Sequence, residues 1–258
     1  MTCPLPHAYI ISLLEDQPRR ERLSQSLNKI GMSYSLIEGI DGREFDVQSH
    51  PSYDVKKRHR YFGRDLLGGE LGCLLSHKKA LETLVNSSHP YAVIFEDDAV
   101  IGEYFASCIS AISALEPVPD LVRFIGKDKI YKTKHKIIKN LGNNINLTRT
   151  RGVPGGAYAY FISKEGAIKL LKHLQKIYIP VDTIIGHAWE TGIDNLITIP
   201  SPVTHAKIED SNIGDERFNK TIILSGIDKH LYPIFRGFYK LKETMMKRIY
   251  FMVKNSSN

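Results

Sequence analysis

Residues Tyr91–Phe95 form an unbroken apolar run of β-type side chains, and three carboxylates, Glu96, Asp97 and Asp98, follow it with no spacer. A strand without polar alternation is expected where both faces of a sheet are covered. Apolar-rich stretches with one or two polar residues lie at Tyr9–Leu13, Tyr34–Glu38 and Leu121–Ile125, a further apolar run lies at Ala157–Ile162, and helical periodicities separate them. Asp16 with Pro18 predicts a helix start, Leu23, Leu27 and Ile30 share one face, and Gly31 is a stop. Gly68 and Gly69 open a helix carrying Leu71, Leu74, Leu81 and Leu84. Another runs from about Tyr104 to Leu115, and Ser163 caps a third. Strands alternating with helices predict an α/β domain, a mixed sheet flanked by helices. The lysine-rich stretch from Lys127 to Arg151 breaks the rhythm and reads as a hairpin at the sheet edge.

With 258 residues the chain can bury a full core. Its three cysteines are too few and scattered for a disulfide framework or a zinc cluster. The start has no signal-peptide pattern, and no apolar stretch of roughly 18 residues predicts a transmembrane helix. The expected address is therefore the cytoplasm, with peripheral contact at the membrane's inner face as an option. The formal net charge of +7 points to an anionic partner. RNA-type motifs and basic patches interleaved with aromatics are absent, which argues against nucleic acid.

Ligands of open α/β sheets sit at the carboxyl ends of strands. Three adjacent carboxylates repel one another there unless a cation joins them, and hard divalent ions take such oxygen ligands together with substrate phosphates. Glu96 and Asp98 are the candidate metal ligands; a solvated acidic loop is the alternative. His205 is a further candidate ligand or a core histidine. Ser76, His77 and Lys78 lie one turn into the helix opened by Gly68-Gly69, where they can touch a ligand. Gly152, Gly155 and Gly156 surround Pro154 and allow either close backbone approach or a tight turn. Asp182 and Glu190 are candidate general bases, with Asp194, His187 and Trp189 nearby.

In order along the chain stand Ile11-Ser12-Leu13 with Arg19, Arg20 and Arg22; Glu38-Gly39-Ile40-Asp41-Gly42; Gly69-Glu70-Leu71-Gly72-Cys73 with Leu75-Ser76-His77; Glu96-Asp97-Asp98-Ala99; Gly155-Gly156-Ala157-Tyr158; and Pro180-Val181-Asp182. This ordered set, over about residues 7 to 207, resembles glycosyltransferase family 25, which includes bacterial lipooligosaccharide galactosyltransferases and collagen galactosyltransferases. The resemblance implies a GT-A type domain over 1–210. Its nucleotide-sugar half would span about 1–125 and its acceptor half about 126–210, with an extension over 211–258. It implies inverting transfer of galactose from UDP-galactose to a lipooligosaccharide or lipopolysaccharide glycan. Other UDP-sugars are alternatives, and a metal-dependent phosphohydrolase is a rival.

On that resemblance the acidic triplet stands for an Asp-x-Asp motif holding Mn²⁺ or Mg²⁺ and the donor diphosphate. Glu96, Asp98 and His205 are then the expected metal ligands. Ser12, Leu13, Arg19, Arg22, Asp41, Gly72, Ser76, His77 and Asp97 are expected at the nucleotide-sugar. Gly155, Gly156 and Tyr158 are expected at the acceptor, and Asp182, then Glu190, as base. Over residues 235–253, Phe235, Phe238, Leu241, Met245, Ile249 and Met252 share one helical side, with Arg236, Lys240 and Lys247 opposite. This predicts either an interfacial helix, suited to a lipid-linked anionic acceptor at a membrane, or a terminal helix docked on the protein's own core.

Overall fold

Apolar strands need cover on two faces, and the helices of this chain supply it. The computed structural model describes residues 4–126, 130, 132–152, 155–206 and 222–256. Cys3, Lys127, Lys129, Pro154 and the expected 210/211 boundary lie outside the described residues. Strands β1 (His7–Ser12), β2 (Tyr34–Glu38) and β3 (Tyr91–Glu96) are parallel, with β1 between the other two. Helix α1 (Gln17–Lys29) joins β1 to β2, and α2 (Val55–Phe62) and α3 (Gly68–Asn86) precede β3. Then come β4 (Ala99–Ile101), α4 (Phe105–Ser113), β5 (Leu121–Arg123), β6 (His135–Asn140), β7 (Asn146–Thr150), β8 (Ala159–Ser163), α5 (Lys164–His173), α6 (Val181–Ile185), α7 (Ala188–Thr191), β9 (Leu196–Ile199), β10 (Val203–His205) and α8 (Gly226–Ser256).

The main sheet has eight strands in the order β2-β1-β3-β8-β5-β9-β7-β6, and β4 pairs with β10 in a separate ribbon. Strand β8 runs antiparallel to both β3 and β5, so the sheet is mixed. Strands β6 and β7 form the hairpin expected at the edge. The strand predicted over Leu121–Ile125 ends at Arg123, although the Phe124 N–H still donates to the Ala159 carbonyl of β8 at 3.0 Å.

Successive side chains of a strand point to opposite faces, and the two cores divide accordingly. Tyr9, Ile11, Ala92, Ile94, Tyr160 and Ile162 join Leu71, Leu74 and Leu170 on the α3/α5 side. Ala8, Ile10, Val93, Phe95, Ala159 and Phe161 join Leu23, Leu27, Phe105 and Ile109 on the α1/α4 side. Burying large apolar side chains such as these stabilises the fold by about 1.5–3 kcal/mol each.

Local signals act largely as expected. Gly31 ends α1 at φ +69°, and the Ser163 hydroxyl accepts the Gly166 N–H at 3.0 Å to start α5. Asp16 occupies the cap position of α1 but makes no capping bond; it faces Arg19 at 3.7 Å instead.

The C-terminal helix is longer than predicted and continues through Pro233. It does dock on the body, but by its polar and aromatic face. Arg236 donates to the Tyr61 carbonyl at 3.1 Å and lies over Phe62. Tyr239 packs on Tyr61 and Phe62, and Arg149 donates to the carbonyl of Lys254 and to Asn255 Oδ1. Among the described residues of α8 only Phe251 is a buried apolar anchor.

Candidate active site

The chain leaves β1 toward β2 on one side and later returns to β3 on the other, which opens a crevice at the strands' carboxyl ends. A cleft lies there, lined by Ser12 and Leu13 after β1, Gly39 to Arg43 after β2, Glu96, Asp97 and Asp98 after β3, Asp16 and Arg19 from the start of α1, and Gly69, Cys73, Ser76 and His77 of α3.

The period of two decides where the acidic residues go. Glu96 shares the face of Ile94, toward α3. There His77, fully buried, stands 3.2 Å from Glu96 Oε1 through Nε2 and 3.0 Å from the Tyr160 hydroxyl through Nδ1. Asp97 falls on the α1 side and meets Arg19 at 2.8 Å. Burial raises the pKa of Asp97, against a hydrogen bond from Ser12 and the charge of Arg19. Asp98 is 3.8 Å from Arg19. Burial, followed by the neighbouring Glu96 charge, pushes its carboxyl up to about 7.

Among the described residues, buried Asp98 Oδ1 has no hydrogen-bond partner, and an unpaired buried acceptor is costly. A divalent ion would satisfy it and relieve the repulsion from Glu96. The oxygen donors suit Mg²⁺ or Mn²⁺. A second donor set overlaps the first: single ligand atoms of Cys73, His77 and Glu96 lie within 4.8 Å of one another. Burial, then the charges of Glu96, Asp182 and Asp98, raise the Cys73 thiol well above its ordinary pKa. That opposes the thiolate a soft metal needs. Both sets contain Glu96, and neither Cys73 nor its distance to Glu96 is readable from the acidic triplet alone.

His205 lies beside this cluster. Its strand pairs with β4, the Ala206 N–H donates to the Asp98 carbonyl at 2.9 Å, and its ring stacks on Tyr158 at 5.2 Å. The Tyr158 carbonyl accepts the Glu96 N–H, and its hydroxyl accepts the Gly126 N–H.

The glycines have a backbone reason. A methyl group built on Gly72 would lie 2.5 Å from the Ile40 carbonyl oxygen and 2.7 Å from the Gly42 nitrogen, and Gly42 and Gly68 approach each other as closely. The turn after β2 therefore seats directly on α3. Ser76 stitches the same contact, accepting the Ile40 N–H at 2.8 Å while donating to the Gly72 carbonyl at 2.7 Å. Gly72 and Ser76 thus shape the cleft from behind. Asp41 sits on its rim, bound to Arg43, which lowers its pKa to about 2. Arg22 is exposed on α1, away from the cleft lining.

Asp182, at the start of α6, accepts the Gly156 N–H at 2.9 Å. A side chain at Gly155 would meet Asp182 Oδ2 at 2.5 Å. Arg123, buried at the end of β5, donates to the Gly156 carbonyl. Burial lowers its pKa to about 10 despite the nearby Asp182 charge. Arg123 escaped the sequence reading, although a lone arginine closing an apolar strand was its visible signal. Neither Asp182 nor Glu190 is in the cleft lining. Glu190 is held by His187 at 3.2 Å on the side covered by α8.

A family profile described as glycosyltransferase family 25 (LPS biosynthesis protein) matches residues 5–185. A glycosyltransferase 25 family member of Aedes aegypti is 28% identical over 188 residues, covering 69% of this chain and 30% of the relative. A probable inactive glycosyltransferase 25 family member 3 of Bos taurus is 27% identical over 186 residues, covering 69% and 30%. Procollagen galactosyltransferase 1-A of Xenopus laevis is 30% identical over 105 residues, covering 38% of this chain and 16% of that protein. The chain thus spans about a third of the length of the first two relatives. A match over most of the sheet and the whole cleft lining means that the chain belongs to glycosyltransferase family 25.

Proposed function

We propose that this chain is an inverting galactosyltransferase that takes the sugar from UDP-galactose to a lipopolysaccharide-type glycan. The observation that carries this is Asp98 Oδ1, buried beside Glu96 and unpartnered among the described residues, in a cleft that Arg19 also enters. An array of this kind fits a diphosphate bound with a divalent ion. The donor sugar draws support from the name of the Xenopus laevis relative, and the acceptor from the family's description.

Inverting transfer is a single displacement at the sugar carbon, and it makes three demands on the chain. The leaving diphosphate needs positive charge, which Arg19 supplies at the mouth of the acidic cluster. A bound Mn²⁺ or Mg²⁺ would neutralise further charge on the leaving group. Glu96 and Asp98 would hold that ion, with His205 adjacent. Ser12 and Leu13 line the cleft where the nucleoside would lie. The acceptor hydroxyl must lose a proton. Asp182 is the favoured base, because it shares the electrostatic surroundings of Cys73 with Glu96 and Asp98, whereas Glu190 is engaged by His187. The Gly155-Gly156 backbone and Tyr158 would then line the acceptor side.

Screening UDP-sugars with Mn²⁺ by thermal shift, then analysing products on candidate oligosaccharides, tests this reading. UDP-galactose is expected to stabilise the protein only with the ion present, and Asp98→Ala to abolish both that shift and transfer. Full transfer by Asp98→Ala, or by the wild type under chelation, would sink the metal assignment. Transfer of another sugar alone would replace the donor.

A further inference from the structure

Helix α8 is amphipathic in the reverse sense from a helix packed on its own core. Its inward face is the polar one, carrying Arg236, Tyr239, Glu243 and Lys247. Its outward face carries Ile227, Ile234, Phe238, Leu241, Met245 and Met252, each between 51% and 73% exposed. At 3.6 residues per turn these six fall within an arc of about 60°. The helix of 31 residues is about 46 Å long at 1.5 Å per residue. A continuous apolar stripe of this length is more than the scattered apolar residues of an ordinary surface and marks an interaction site.

The charges beside the stripe choose the partner. Lys242 and Arg248 flank it on opposite sides, about 60° from its axis. Lys229, Lys240 and Lys254 are exposed on the far side of the helix, and Asp228 is its single exposed acid. Glu243, the helix's other acid, is turned inward to His187 and Lys247. A symmetric pair of such helices would set like charges against each other, whereas an anionic lipid surface complements them. No helix among the described residues is long and apolar enough to cross a membrane, so the stripe is suited to lying in a surface.

We propose that α8 is a docking helix that lays its outward apolar stripe into the headgroup boundary of an anionic bilayer, with Lys242 and Arg248 on the lipid phosphates. The same helix rests on both expected halves: Arg236 donates to the Tyr61 carbonyl of α2, and Lys136 of β6 donates to the Asn255 carbonyl. Docking would therefore hold the whole domain at the membrane, whatever sugar the cleft takes.

Flotation of the full chain with vesicles of phosphatidylcholine, with and without phosphatidylglycerol, tests this. Binding is expected on the anionic vesicles. Phe238→Gln combined with Leu241→Gln should weaken it about tenfold or more, because both side chains point away from the body. Lys242→Glu with Arg248→Glu should do the same through charge. The melting temperatures of both variants should match the wild type. Absence of binding to anionic vesicles would overturn the proposal, as would retained binding by the two apolar substitutions. So would light scattering that shows a dimer dissolved by those substitutions in a protein that ignores vesicles.

Discussion

Asp182 meets two demands with one side chain. Its Oδ2 accepts the Gly156 N–H and so fixes the glycine turn, while its charge faces the buried Arg123. An amide of the same shape keeps the first role and loses the second together with any basicity. Asp182→Asn is therefore expected to lower kcat by about 10²–10⁴-fold, the usual contribution of a general base, with little change in donor KM. Steady-state kinetics on both substrates checks this; an unchanged kcat would move the base elsewhere. At this scale the legible residues were those whose signal is local. Glu96, Asp97 and Asp98 could be found because an apolar strand ends in charge, and their division between α3 and α1 follows from the strand's alternation. Arg123 and Cys73 were not legible in their roles because each depends on partners more than twenty residues away: Gly156 for one, Glu96 for the other. Gly72 and Ser76 were visible as motif residues, but only the crossing of two backbones shows that they shape the cleft from behind.

Among the elements, α8 was the hardest to place. Hydrophobic periodicity yields the direction of a helix's apolar face but not which face meets the body, and here specific polar contacts outweigh apolar burial. The clamp at its middle is His187, whose ring lies between Glu190 of α7 and Glu243 of α8, at 3.2 and 3.7 Å. Lys247 pairs with Glu243, and Trp189 packs on the imidazole at 4.3 Å. Burial works against the charged ring, but the two carboxylates outweigh it and raise the His187 pKa above 6.5. The same contacts lower Glu190 and bring Glu243 down to about 2. The histidine's contribution is full below its unfolded pKa and is lost as pH rises through the folded value. The carboxylates' contribution is present above about pH 4.5 and is lost as pH falls toward 2. The clamp should thus be strongest between roughly pH 4.5 and 6.5. Trp189 is the only tryptophan, so its fluorescence should report the His187 titration with a midpoint above 6.5, and His187→Gln should abolish that step. A midpoint at or below 6.5 would count against the clamp.

Taken whole, the two expected halves share one sheet. The edge of the expected nucleotide half falls after β5, yet β8 from the following half lies between β3 and β5, and β9 pairs with β5 on its other side. Neither half can leave without stripping strands from the other. Both cores also draw on both halves, with Ile94 and Tyr160 in one and Phe95 and Phe161 in the other. Interleaving of this kind predicts a single cooperative unfolding transition. Far-UV circular dichroism, which sees the whole sheet, and Trp189 fluorescence, which sees α7 of the later half, should give coincident denaturant midpoints. Ligand binding extends the argument. The cleft lining comes from β1, β2, β3, α1 and α3 of the first half, and the shared sheet carries a ligand's stabilisation to Trp189. A UDP-sugar with Mn²⁺ at 100 times its Kd should raise the unfolding free energy by about 2.7 kcal/mol, with the same shift in both signals. Two separated transitions, with only the dichroism step responding to ligand, would mean that the halves fold as independent units despite the interleaved strands.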